Sequence, residues 1–347
     1  MSAQLVSAIV ANWNGARDLE ICLPSLLGQS YRPLEIIVVD NASTDDSAVV
    51  ARKFDVRWVG LDRNRGLAGA LNEGANVAQG EFVLFLNNDM RFHQKFVEAL
   101  VSQIERDAGI FSADALQHDW EGANQVHLAT RLGNRYRANS NCYACVPGLY
   151  VYQESSASPT TIPLACAASM LVRKSMFHSL GGFDRRLPVG YEDLELCWRA
   201  WVQGWKSIFV PHAVCWHRVG WSARSSEGAG IRFRGTVGGR LLIATKLLPV
   251  NYTIRTLLAA CAGLLVDVAA MRWQRVRDRA EVLIQYAQSF LQLVRERRAI
   301  YRSQRITPRE QLERMLRLAC EERSPLWAST EPLPATVYGS AASSDIK

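Results

Sequence analysis

The chain has 347 residues, of which 48% are hydrophobic and 21% charged, and its formal net charge is +7. That is enough apolar material for a sizeable core, which excludes wholesale disorder, and the length fits one large α/β domain with an appendage. The eight cysteines stand at irregular spacing, and MSAQLVSAIVANWNG lacks a basic stretch leading into an apolar one, so neither a disulfide scaffold nor a secretory leader is expected and the chain is read as cytoplasmic.

Residues 5–11 (LVSAIVA) form a short apolar run that ends in Asn12, Trp13, Asn14 and Gly15, the pattern of a buried strand and a turn. From Ala16 to about Gln29 the apolar residues Leu19, Cys22, Leu23, Leu26 and Leu27 recur at helical spacing. Glu35–Asp40 (EIIVVD) is a second strand. The cluster NASTDDS after it predicts a helix start, capped by Ser43 or Thr44, with Asp45 and Asp46 at its positive end. Residues 56–60 read as a third strand, 67–78 as an Ala-rich helix and Glu81–Leu86 (EFVLFL) as a fourth strand. This alternation implies a parallel sheet with right-handed crossovers. Asn12–Asn14, Asp40–Ser43 and Asn87–Asp89 then all lie at carboxyl ends of strands, where such sheets bind ligands, and converge on one crevice.

Residues 115–163 are weakly patterned and read as excursions around that crevice, with the sugar pocket expected within 110–165. Strand character returns at 164–175 and 207–216, separated by a helix from about Glu192 to Gly204. Beyond 236 the pattern is helical to about 321, and the last 20 or so residues read as a loose tail. Cys142-x-x-Cys145 invites a zinc or redox reading, but no second pair stands at the spacing a zinc site needs.

Four groups can carry chemistry. Asp40, at a strand end, can accept hydrogen bonds from a base or ribose, or cap a helix. Asn87-Asn88-Asp89 can bring a carboxylate to a hard divalent cation, or make a turn. In GYEDLELCWR, Glu192, Asp193 and Glu195 crowd a helix start, whose dipole favours ionised carboxylates; Asp193 is expected to stay a proton acceptor near neutrality, or the three form an acidic turn that only complements the dipole. His217, in CWHRVGWS, can complete a metal site or touch a phosphate, or stand as a structural residue beside two tryptophans.

The order VSAIVANWNG, EIIVVDNASTDDS, RNRGLAGALNEG, EFVLFLNNDM, LVRKS, GGFD, GYEDLELCWRAWVQGW and His217 resembles family 2 glycosyltransferases over about residues 5–225, closest to the rhamnosyltransferase-like enzymes of bacterial surface polysaccharide. The resemblance implies the α/β fold named GT-A: a mostly parallel central sheet with helices on both faces, here with a C-terminal helical extension. It implies an inverting transfer from a dTDP- or UDP-linked sugar to a hydroxyl of a glycan or lipid-linked acceptor, with Mg²⁺ or Mn²⁺. By position, Ala11, Trp13, Asp40, Asn64, Gly66 and Asn88 would line the nucleotide. Asp89 and His217 would hold the metal, and Asp193 beside Glu192 would be the general base. Two departures stand out: the metal triplet has one carboxylate, and Leu71 replaces an Arg that many relatives place before Asn72.

The expected organisation is a catalytic domain over 1–235, with a nucleotide half 1–110 and an acceptor half 111–235, then a basic helical extension 236–322 and a tail 323–347. The extension reads either as a bundle packed on the catalytic domain or on a second subunit, or as an in-plane helix facing an anionic membrane surface at the inner face of the cell membrane. Its longest clean apolar run, Leu257–Val266, is too short to span ~30 Å of hydrocarbon, so no spanning helix is expected. Nucleic acid is not expected, because no aromatic platform accompanies the arginines. An alternative is a catalytically inactive glycan-binding or scaffold protein on the same fold. A sugar-1-phosphate nucleotidyltransferase is disfavoured, since Asn12–Arg17 holds a single Gly where that class needs a Gly-rich loop.

Overall fold

Two adjacent short strands that are buried almost throughout lie inside the main sheet, because the runs VSAIVAN and FVLFLN have an apolar side chain for each face. A computed structural model describes residues 3–137, 142–187, 191–218, 226–302, 304 and 306–321. In chain order the first elements are β1 (Val6–Asn12), α1 (Ala16–Leu27), β2 (Leu34–Asp40), α2 (Ser47–Ala51), β3 (Arg57–Gly60), α3 (Gly66–Val77) and β4 (Phe82–Asn87). Then come β5 (Met90–Phe92), α4 (Phe96–Ile104), β6 (Ile110–His118), β7 (Gln125–His127), β8 (Ala129–Gly133), β9 (Tyr143–Val146), β10 (Leu149–Glu154) and β11 (Thr160–Ile162). The rest are β12 (Ser169–Arg173), α5 (Lys174–Ser179), α6 (Glu192–Val202), β13 (Lys206–His217), α7 (Ser226–Leu247), α8 (Val250–Ala269), α9 (Trp273–Arg302) and α10 (Pro308–Glu321).

The main sheet runs β11-β13-β6-β12-β4-β1-β2-β3. β3, β2, β1 and β4 are mutually parallel, β12 runs against β4 and β6, and β13 is parallel to β6. One face, with Ile9, Val39, Phe85 and Phe111, packs against α3, α6 and the C-terminal helices. The other, with Val10, Val38, Leu84 and Leu86, packs against α1 and α4. Each such aliphatic or aromatic side chain contributes about 1.5–3 kcal/mol when taken from water. α3 comes close enough that a Cβ on Gly74 would lie 2.4 Å from Ile9 Cγ2.

Three expectations need correction. The helix after β2 is not capped by Ser43 or Thr44; Asp45 Oδ1 accepts the Ser47 N–H at 3.1 Å, and Ser43 turns back to Asp40. Residues 115–163 are not mere excursions. β6 is central to the main sheet, and β8, β10 and β9 form a second, antiparallel sheet. Alternation was obscured there because buried positions are polar: Thr130 donates to Leu164 O, and Arg131 to the carbonyls of Thr130 and Thr161. Finally, α7 begins at Ser226, so the boundary expected at 235 falls inside a helix.

The C-terminal helices share the main core. Ile243, Leu247, Tyr252, Tyr301 and Met315 belong to the same cluster as Phe85 and Trp198. Trp198 Nε1 donates to Tyr301 Oη at 2.9 Å. A buried charge cluster joins the same elements: Lys246 lies 2.6 Å from Glu195 and 2.9 Å from Asp184, and Arg199 and Arg186 complete it. Burial alone would raise the Asp184 pKa, but Arg186 and Lys246 hold it well below the usual carboxylate range. The segments 188–190 and 219–225 and the expected tail 323–347 lie outside the described residues.

Candidate functional site

The three strand-end polar clusters do converge, and hydrogen bonds tie them together. Asn88 Nδ2 donates to Asn12 Oδ1 at 2.7 Å, and Asn12 Nδ2 donates to Asp40 Oδ1 at 2.9 Å. Ser43 adds an O–H to Asp40 Oδ1 at 2.5 Å and a backbone N–H to Oδ2 at 3.0 Å. A Cβ on Gly15 would fall 1.9 Å from Asn88 Nδ2, so only glycine leaves room for this crossing. Next door, Asn41 Nδ2 donates to Asn64 Oδ1 at 2.9 Å, Asn41 Oδ1 accepts Arg65 N–H, and Asn64 Oδ1 accepts Gly66 N–H. Asn64 and Gly66 are thus held at the start of α3 beside Asp40. Ala11 lies at the end of β1, and Trp13 is 50% exposed at the rim.

Asp89 and His217 meet because β5 folds back on the end of β13. The antiparallel register Met90↔His217 sets them side by side, Arg218 N–H donates to Asp89 O at 3.0 Å, and His217 Nε2 stands 3.2 Å from Asp89 Oδ1. The ring's other nitrogen is fixed by a chain of buried groups. Asp114 is fully buried and Ser169 O–H donates to it; Gln117 Nε2 donates to Ser169 Oγ at 3.0 Å. Gln117 Oε1 therefore faces His217 Nδ1, at 2.9 Å, and receives its N–H. In the neutral ring the Nε2 lone pair then faces both the Asn87 Nδ2 amide, at 3.4 Å, and the Asp89 carboxylate, and a cation could bind Nε2 and Asp89 together. Asp18 of α1 adds negative charge nearby: burial first, and the charge of Asp89 second, raise its pKa even though Arg218 pairs with it at 3.0 Å. One carboxylate and one imidazole are donors that could hold a divalent ion. Among the described residues no group of three or more His, Cys, Asp or Glu is placed to hold a metal, and this includes the Cys142/Cys145 pair.

Asp193 sits in the first turn of α6, and its Oδ1 accepts Leu194 N–H at 2.7 Å. The helix start was expected to keep it readily ionised; instead burial dominates and raises its pKa, against the backbone N–H groups and the charge of His127. Glu192 is 4% exposed, whereas Asp193 keeps part of its surface open. His127 Nε2 lies 2.7 Å from Asp114 Oδ2. Burial opposes the charged ring, but Asp114 outweighs it and the His127 pKa is raised. Sequence reasoning overlooked Asn41, Asp114, Gln117, His127 and Ser169. Asn41 stood within a strand-end cluster already singled out, while the other four lie on strands whose pairing no local signal reveals.

The glycosyl transferase family 2 profile matches residues 7–181, just over half of the chain. Glycosyltransferase GlyG of Streptococcus pneumoniae serotype 4 is 30% identical over 134 residues, 37% of this chain and 44% of that protein. N-acetylglucosaminyl-diphospho-decaprenol L-rhamnosyltransferase of Mycobacterium tuberculosis is 26% identical over 235 residues, 61% of this chain and 76% of that one. In fold the chain is similar to the mannosyltransferase PcManGT from Pyrobaculum calidifontis, solved with GDP-Man and Mn²⁺, with a TM-score of 0.52 at 19% identity over 93% of this chain and 88% of that one.

Proposed function

Since the chain belongs to glycosyl transferase family 2, we propose that it is an inverting, metal-dependent transferase that moves a hexose such as rhamnose from a dTDP- or UDP-linked donor to a hydroxyl of a glycan or lipid-linked acceptor. The observation that carries this reading is the meeting of Asp89 with His217, joined by buried hydrogen bonds through Gln117 and Ser169 to Asp114 beside Asp193. On this reading Asp89 and His217 form the metal and diphosphate end of the site and Asp193 its proton-accepting end.

Asp40, with Asn12 and Ser43 orienting it, takes the base; Trp13 and the backbone at Ala11 flank it. Asn64 and Gly66 lie along the nucleotide, and Asn88 steadies the diphosphate side. Asp89 and His217 would hold Mg²⁺ or Mn²⁺, which would supply positive charge to the departing diphosphate. Asp193 removes the acceptor hydroxyl proton as that oxygen bonds to the anomeric carbon and the bond to the diphosphate breaks, so configuration inverts without an enzyme-bound sugar. Glu192, the neighbour of Asp193 in the first turn of α6, lies buried beside it.

A donor panel read out by released nucleoside diphosphate tests the reaction; no release from any nucleotide sugar with either metal would sink it. Asp193→Asn should bind donor and lose roughly a hundred- to ten-thousand-fold in transfer. The single carboxylate of Asn87-Asn88-Asp89 favours a second reading, an inactive glycan-binding scaffold. Calorimetry with UDP and dTDP, with and without metal, separates the two, since the scaffold would show no metal-dependent nucleotide binding.

A further inference from the structure

Helix α8 is buried along one narrow stripe: Tyr252, Thr256, Ala260 and Asp267 are between 3% and 8% exposed. At about 100° per residue, the exposed arc covers roughly 200° of the helix. Between Leu257 and Ala269 every residue outside the stripe is apolar; Leu258, Leu265 and Val266 are 64%, 71% and 59% exposed. Asp267 is the one charge in that stretch, and it turns inward to Arg279 at 2.9 Å. Cations frame the arc, with exposed Arg255 at one end and exposed Arg272, Arg275 and Arg277 at the other. Trp273 and Met271 are exposed at the same end.

We propose that this face docks on a lipid bilayer bearing anionic headgroups, with α8 lying in the plane of the interface. The helix is long and apolar enough to cross a membrane, contrary to the expectation from its sequence, because it runs unbroken through Arg255 and Asp267. It does not stand across the bilayer, because α9 is fastened along it by Asp267–Arg279 and carries Arg275, Arg277 and Glu281 beside it. Those charges would have to enter hydrocarbon too. In the plane, the apolar arc enters the acyl boundary while the arginines stay at headgroup depth. A second copy is a poorer occupant: a two-fold interface would bring this one-signed arginine rim against itself, and a helix seam needs a narrower stripe.

The test is vesicle flotation of the full chain without donor or acceptor, so it can fail or succeed independently of the proposed transfer. The chain should float with phosphatidylcholine–phosphatidylglycerol vesicles and remain behind with phosphatidylcholine alone. The double substitution Leu258→Glu with Leu265→Glu should lower the bound fraction about tenfold while the circular dichroism and the melting temperature hold, because both side chains already face solvent. Absence of flotation, or flotation unchanged in the double variant, would overturn the proposal. So would a concentration-dependent doubling of mass that the same variant abolishes without any flotation, which would assign the face to a second copy.

Discussion

Replacing Gln117 by leucine tests the buried chain that orients His217. The side chain is 2% exposed, accepts from His217 Nδ1 at 2.9 Å and donates to Ser169 Oγ at 3.0 Å. Leucine fills similar volume but strands the His217 N–H and one lone pair of Ser169. At about 1–3 kcal/mol for a stranded buried group, and less for the hydroxyl, the stability loss should be about 2–4 kcal/mol. The ring, no longer held, can present either nitrogen to Asp89. Losing such a support of a ligating histidine weakens metal binding roughly 10- to 100-fold, or about 1.4–2.7 kcal/mol. The assay is nucleoside diphosphate release against Mn²⁺ concentration, with urea unfolding alongside. Half-activation should move to higher Mn²⁺ by that factor, with the rate at saturating metal changed far less. An unmoved half-activation point in a variant that shows the stability loss would refute the idea that Gln117 orients a metal ligand.

The pKa of Asp193, the proposed base, is raised, so the acid limb of the kcat–pH profile should lie above the ordinary carboxylate value, since transfer would need its ionised form. The positive charge of His127 favours that ionised form, so His127→Ala should shift the limb to still higher pH; a limb that stays put removes His127 from the site. Lys246→Met should cost about 3 kcal/mol in urea unfolding, because Asp184, Glu195 and Glu296 lose a shared, 8%-exposed cation while Arg186 and Arg199 remain. The folded pKa of Asp184 is depressed, so its stabilisation is present above its unfolded pKa of about 3.9 and is lost as the pH falls below that value. The wild-type chain should therefore lose stability in acid more steeply than the Lys246→Met variant does; parallel curves would count against the cluster.

What could be read along the chain was what local patterning encodes. Runs such as EIIVVD and EFVLFL must be buried on both faces, so their first polar residue marks the strand end, and Asp40 and Asn87–Asp89 were found that way. Helical spacing located α1, α3 and α6 to within a few residues, and marked the C-terminal stretch as helical to about residue 321 without dividing it into α7, α8, α9 and α10. Local patterning failed wherever pairing is non-local. Nothing in CWHRVGWS says that β13 meets β5 in the register that sets His217 beside Asp89, and nothing in IFSADALQH says that Asp114 and Gln117 will meet His127, Ser169 and His217. The antiparallel sheet of β8, β9 and β10 was hidden because its inward Thr130 and Arg131 are satisfied by distant carbonyls. Likewise the pKa of Asp193 follows from what closes over it, so the helix dipole read from sequence was outweighed. The bare apolar arc of α8 follows from α9 turning Asp267 inward. Residue order determined the elements and the edge where chemistry gathers. Which side chains share a proton, an ion pair or a solvent-facing arc was decided by contacts between segments far apart in the chain.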